Sequence, residues 1–218
     1  GYVFSGCTGL NEVNLPEGLT AIYAYAFEEC TSLESIDLPD TVTTMSACAF
    51  SNCTKLSEVK LPSSWTTVLD YWNDEEGYRG EGSSYIHTPF QGCSALESIT
   101  IPEGMKEVPK YAFRKLTALK EVVLPESVTS IGMYAFEGCS GMKNINLVEG
   151  ITTISKSAFQ GCAGLARINL RENVTNIEEH AFEGCSGLQS ITLPDQIQSI
   201  KGYVFSGCTG LNEVNLPE

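Results

Sequence analysis

Apolar and polar residues alternate along this chain in short bursts separated by turn residues. In "LESIDL" (33–38) the alternation has period two and turns Ile36 and Leu38 inward, which predicts a short strand. Pro39 ends it, because proline has no N–H to offer a ladder. The next burst, "VTTM" (42–45), alternates again and predicts a second strand on another face. This pair of bursts then recurs. Phe stands at 4, 27, 50, 90, 113, 136, 159, 182 and 205; seven of the eight intervals are 23 residues and one is 40. The chain therefore reads as an array of 23-residue units with a single insertion of 17. The stretch "GYVFSGCTGLNEVNLPE" occupies 1–17 and again 202–218, two equivalent phases of the array. Neighbouring units share only a skeleton, so identity over 17 letters exceeds what structure demands. Recent duplication within a longer array accounts for it, as does the way the segment was delimited.

Aligned on Phe, the unit reads A-F-x-G-C-x-x-L-x-x-I-x-L-P-E-x-V-T-x-I-x-x-Y. One column holds Thr20, Thr43, Thr66, Thr129, Thr152 and Thr175, β-branched residues that suit a pleated surface. Gly precedes the Cys at 6, 92, 138, 161, 184 and 207, with Asn52 in its place once; both residue types accept positive φ, so a tight turn is expected there. A unit this short cannot bury an apolar face alone. Stacked units can, with like columns about 4.8 Å apart. The expected fold is one elongated solenoid over 1–218 with a continuous core and an inserted loop at about 63–89.

"AFEGCSGLQSITLPDQIQSI" (181–200) and "AFEGCSGMKNINL" (135–147) resemble BspA-type leucine-rich repeats, and the resemblance covers the chain outside the insertion. It implies a right-handed leucine-rich-repeat stack, mainly β with short turns or helical corners. It also implies a bacterial surface or secreted protein of a kind often used in adhesion, some members binding extracellular-matrix proteins. The family motif is a skeleton without catalytic residues to carry over. Val148 and Arg171 replace its Pro and Leu116 replaces its Cys, departures that leave the fold expectation intact.

Composition narrows the function classes. Apolar residues make up 42% and charged residues 18% of 218, which is ordinary globular material. No apolar run approaches the roughly 20 residues that cross a bilayer. The net charge of −14 argues against nucleic acid and anionic lipid as partners. The chain lacks an initiator Met and a signal segment, so it reads as part of a longer protein.

Five features are candidates for chemistry. Eight of the nine cysteines share one column: Cys7, Cys30, Cys53, Cys93, Cys139, Cys162, Cys185 and Cys208. Stacking would bring neighbouring Cα atoms near 5 Å, inside the disulfide window of about 4.4–6.8 Å. Leu116 in the same column argues instead for buried free thiols, with bridges or metal as the alternatives. Cys48 stands outside the column and is expected to be the accessible one. His180 substitutes in a column of Tyr2, Tyr25, Tyr111, Tyr134 and Tyr203, and His87 lies four turns away, roughly 19 Å at sheet spacing, so no His pair forms. The position after Pro is acidic in eight of nine units, from Glu17 and Asp40 to Asp195 and Glu218; it reads as turn chemistry or as a cation-binding stripe. The outward face of the first strand row is small and polar, with Arg167 its one residue of a type favoured at binding hot spots. The insertion carries both Trp residues of the chain, with Tyr71, Trp72, Tyr78, Arg79 and Tyr85 as candidate ligand contacts; Trp65 falls in the Val column and is a candidate for the core. The sequons at Asn52 and Asn173 have middle residues expected to be buried and read as chance.

The expectation is a non-enzymatic binding or adhesion module at the cell surface or secreted, needing no cofactor or metal. Its partner would be a host matrix protein or glycan, without membrane insertion. A structural spacer is the alternative. Each end would expose apolar columns, so weak head-to-tail self-association of this segment is also expected.

Overall fold

The structure is a computed structural model and describes residues 1–69 and 87–216. Its strands in chain order are β1 (Ala21–Ile22), β2 (Ser35–Asp37), β3 (Thr44–Ser46), β4 (Glu58–Lys60), β5 (Thr67–Leu69), β6 (Ser98–Thr100) and β7 (Glu107–Val108). There follow β8 (Glu121–Val123), β9 (Ser130–Ile131), β10 (Thr153–Ile154), β11 (Asn176–Ile177), β12 (Ser190–Thr192), β13 (Ser199–Ile200) and β14 (Glu213–Asn215). They form two rows of parallel strands. The main row contains β2–β4, β6–β8 and β12–β14, with an isolated bridge joining Asn146 to Asn169; the second row contains β1–β3–β5, β7–β9 and β10–β11–β13. Every paired register is one unit, as in Ile36 to Val59 and Asn176 to Ser199. The result is a β-solenoid whose turns are the 23-residue units.

The alternation expected in "LESIDL" is present: Ser35 and Asp37 are exposed, whereas Ile36 and Leu38 are buried. The second strand starts two residues later than expected, at Thr44. The reason is a β-turn closed by Val42 N donating to Pro39 O at 2.9 Å, repeated at Val128 N to Pro125 O, 3.1 Å. Arg171 stands where others have Pro and the turn persists, Val174 N to Arg171 O being 3.0 Å.

Phe side chains form the spine. Successive rings from Phe4 to Phe205 stack with centroids 5.2–6.1 Å apart, and the ladder crosses the insertion without a break, Phe50 to Phe90 being 5.6 Å. Stacked rings remove both faces from water and keep each unit in register with the next.

The corners are turns, and no helix occurs among the described residues. Positive φ appears in the Gly column as expected, including Gly138 at 73° and Asn52 at 59°. It also appears at Glu29 (56°) and Lys115 (59°) in that column, and along the Tyr column at Tyr25 (58°), Cys48 (55°), Tyr134 (60°) and His180 (60°). Two left-handed residues four positions apart leave room for only one right-handed turn between them, which is why the helical corner does not form. Thr88 is the exception in the Tyr column, because a β-branched residue avoids that region. The ladder shifts around it: Cys48 N donates to Thr88 O itself, whereas Tyr134 N takes Lys156 O and His180 N takes Gly202 O, the residues before their column positions.

Candidate functional site

The cysteine column is a hydrogen-bonded ladder of free thiols. From Cys30 onward each Sγ donates to the main-chain carbonyl of the Phe one unit back: Cys53 to Phe27 at 3.0 Å, Cys139 to Phe113 at 3.1 Å, Cys162 to Phe136 at 3.2 Å and Cys208 to Phe182 at 3.1 Å. Burial raises their pKa by penalising the thiolate; Cys53 and Cys185 are pushed up to about 12. From Cys30 to Cys208 the column serves packing, and these thiols are too buried and too weakly acidic to act as nucleophiles. Cys48 corrects the expectation made for it. It is 3% exposed, tucked beside Tyr25, and burial followed by the proximity of Cys48 raises that phenol to about 12. The exposed thiol is Cys7, in the outermost turn.

His180 takes its place in the Tyr ladder, stacked on Tyr203 at 5.1 Å and an interplanar angle of 2°. Its Nδ1 lies 2.7 Å from Glu183 Oε2, which also accepts from Gln160 Nε2 at 2.7 Å. His87 pairs through Nδ1 with Gln91 at 3.3 Å. The two histidines belong to different turns, as expected.

The acidic column follows the turns at the end of the main row, and two of its members reach the next unit. Asp40 Oδ1 accepts from Ser63 N at 3.0 Å, and Glu149 lies 3.6 Å from Arg171. The next position adds a device not read from the sequence. Its side chains donate back to carbonyls of the preceding turn: Thr41 Oγ1 to Leu19 O at 2.7 Å, Ser64 Oγ to Val42 O at 2.9 Å, Ser127 Oγ to Met105 O at 3.1 Å and Asn173 Nδ2 to Glu149 O. Among the described residues no group of three or more His, Cys, Asp or Glu is placed to hold a metal ion.

A second unforeseen feature is a buried ion pair. Arg114, 1% exposed, meets Glu137 one unit on through Nε at 2.5 Å and a second guanidinium nitrogen at 2.9 Å. Its carbonyl accepts from Thr88 Oγ1 at 2.8 Å. The signal was present as Arg in a column otherwise filled by Ser, Glu and Gln, but only the stacking shows that a charge there is enclosed.

Of the predicted ligand contacts, Arg167 is exposed on the outward face of the main row. Tyr71, Trp72, Tyr78, Arg79 and Tyr85 lie outside the described residues. Trp65 is core: fully buried, edge-on to Phe113 at 5.9 Å, with Nε1 donating to Thr67 O at 2.9 Å. The outward face carries exposed pairs such as Glu58 and Lys60, Ser98 and Thr100, and Glu121 and Val123.

Parallel strand rows, a Phe spine and a regular 23-residue turn define a leucine-rich-repeat solenoid. The profile of the BspA type leucine rich repeat region matches residues 1–72 and 86–212 in 6 copies, and the chain belongs to that family. Among solved structures it is similar to a leucine rich cell surface protein from Faecalibacterium prausnitzii, at 29% identity over 99% of this chain and 62% of that one, with a TM-score of 0.57. It spans less than two thirds of that protein. A leucine rich repeat protein of T. pallidum matches at 25% identity, over 86% of this chain and 80% of that one, with a TM-score of 0.61. The pneumococcal vaccine antigen PcpA shares the fold at 23% identity, over 91% of this chain and 60% of that one, with a TM-score of 0.51. No curated protein matches the sequence. No helix among the described residues is long and apolar enough to cross a membrane.

Proposed function

We propose that this chain is a binding segment of a bacterial surface or secreted protein, recognising a protein or glycan outside the cell. The observation that carries it is the display of exposed polar side chains, one pair per turn, on a scaffold whose Phe, Cys and Leu columns are locked. Rigid spacing lets many weak contacts add without a large ordering cost. Membership of the BspA-type family and similarity to a cell surface protein support the location. The leucine-rich-repeat scaffold is in general non-catalytic. A second reading, a spacer that holds other domains away from the surface, is favoured by the small side chains of the outward face, such as Ser98 and Thr100.

A capture assay against immobilised matrix proteins and glycans separates the two. Three proteins are compared: the native chain, Arg167→Ala, and a chain lacking 70–86, which restores the 23-residue spacing by joining Leu69 to His87. Saturable capture that the deletion or Arg167→Ala weakens supports the binding module. Capture by none of them leaves the spacer.

A further inference from the structure

The outward face of the main row is polar at every position but one. In the column of Lys60, Thr100, Asn146 and Asn169 the residue at 123 is Val, and it is 48% exposed. The next residue, Leu124, is half-buried, although every other interior member of its column, from Leu38 to Leu193, is buried. Both line a hollow of about 220 Å³ between the turn of β8 and the two turns that follow. The Pro column changes at the same place. Seven units have Pro there, and the two that do not, Val148 and Arg171, both stand in the wall of this hollow.

Each of these two departures supplies donors that Pro lacks. Arg171 reaches back one turn: its Nε donates to Leu147 O at 2.8 Å and its Nη1 lies 3.6 Å from Glu149, which leaves guanidinium N–H groups to spare. Leu147 O faces the following turn through that bond. The N–H of the same trans peptide, that of Val148, therefore points the opposite way, toward the preceding turn and the hollow. Val148 is buried, and its N–H has no hydrogen-bond partner among the described residues. Asn144 and Asn146 add exposed side-chain amides that make no hydrogen bond among the described residues. Glu121 and Glu126 belong to the wall formed by the turn of β8.

We propose that this hollow is a subsite for one neutral monosaccharide ring, an inference that rests on the binding-module reading and names a ligand class for it. Sites for drug-sized ligands measure about 300–1,000 Å³, so this one admits little more than a single ring. Its polar groups are mixed: carboxylates that accept, a guanidinium and a main-chain N–H that donate, and amides that do both. A hydroxyl also does both, and a ring carrying several of them side by side can engage all of these groups. The C–H face of such a ring has Val123 and Leu124 to lie on. Charge argues the same way. Glu121 and Glu126 repel an anion from Arg171, and a simple cation would leave the donors of Arg171 and Val148 without an acceptor.

The test is titration of the isotope-labelled full chain with the methyl glycosides of glucose, galactose, mannose and N-acetylglucosamine, read by amide NMR shifts. A contact this small supports a dissociation constant on the order of 1 mM, so each glycoside is raised to about 50 mM. The expected result is saturable shifts at Val123, Leu124, Val148 and the side-chain amides of Asn144 and Asn146 with at least one glycoside. Asn144→Ser with Asn146→Thr gives this turn the pair that other turns carry at the same places, Ser98 with Thr100 and Ser190 with Thr192, so the fold stays and the amides go. Arg171→Pro installs the residue of the other units and removes the guanidinium. Each variant should weaken binding by about tenfold. No saturable shift at these groups with any glycoside, shifts of the same size with lysine amide or with acetate, or an affinity unchanged in either variant would overturn the proposal. Saturable shifts without any capture on immobilised matrix proteins or glycans uphold the hollow and remove the surface-recognition reading; capture that both variants retain, with no shifts, does the reverse.

Discussion

Replacing Phe136 by Ala tests the idea that stability resides in contacts between successive turns. Phe136 is fully buried and stacked on both sides, on Phe113 at 5.5 Å and on Phe159 at 5.7 Å. Truncating a buried Phe costs about 3–5 kcal/mol, and two lost ring faces put this site in the upper part of that range. Phe4 is the control. It is 41% exposed and has Phe27 as its stacking neighbour at 5.2 Å. Phe4→Ala should cost about 1–2 kcal/mol, since about half the area and one interface are lost. In a nearest-neighbour array an interior lesion also weakens the coupling between the two halves. Urea unfolding followed by circular dichroism should therefore show a lower midpoint and a broader transition for Phe136→Ala. Amide exchange should accelerate in the turns on both sides of it. Phe4→Ala should shift the midpoint little and change exchange only in the outermost turns. Equal losses at the two positions would refute the nearest-neighbour account.

Two further predictions concern buried groups. The thiols stay neutral in the fold while those of the unfolded chain ionise near the ordinary value of 9.0, so stability present below pH 9 falls as pH rises through about 12, where Cys53 and Cys185 titrate. An alkaline unfolding series with native thiol titration checks this; Cys7 should react first, and nine thiols should react in denaturant. Arg114→Ala leaves Glu137 enclosed without its partner and should cost about 3–5 kcal/mol, whereas Arg114→Met with Glu137→Met should recover most of that loss, as thermal unfolding of the three variants would show.

Much of the solenoid is legible in the residues because each unit repeats the same local instructions. The Phe spacing gives the turn length, the alternation in "LESIDL" separates Ile36 and Leu38 from Ser35 and Asp37, and Gly or Asn before Cys marks a left-handed turn. Leu116 in the cysteine column pointed to buried thiols, and the column's thiols are free and, Cys7 excepted, buried. The errors fall where a residue's conformation or enclosure is decided by its neighbours in adjacent turns. Nothing about Tyr134 or Cys48 as residue types asks for positive φ; the main-chain bonds to the next turn hold them there. Cys48 looked accessible because it lies off the cysteine column, and it is buried because the Tyr column packs into its own stack.

The sequence by itself determined the periodic part of this protein: the unit length, the inward columns, the family and the unbroken spine. These depend on each residue's intrinsic preferences and on a spacing that repeats, and both can be read along the chain. The tertiary structure decided the enclosure of Arg114 with Glu137, the hydroxyl ladder beneath the acidic column and the burial of Cys48. Each of these depends on what stacks above and below a residue one unit away. Arg114 shows in the sequence only as a substitution in a column of Ser, Glu and Gln, and it takes the stacked turns to show that its charge is enclosed.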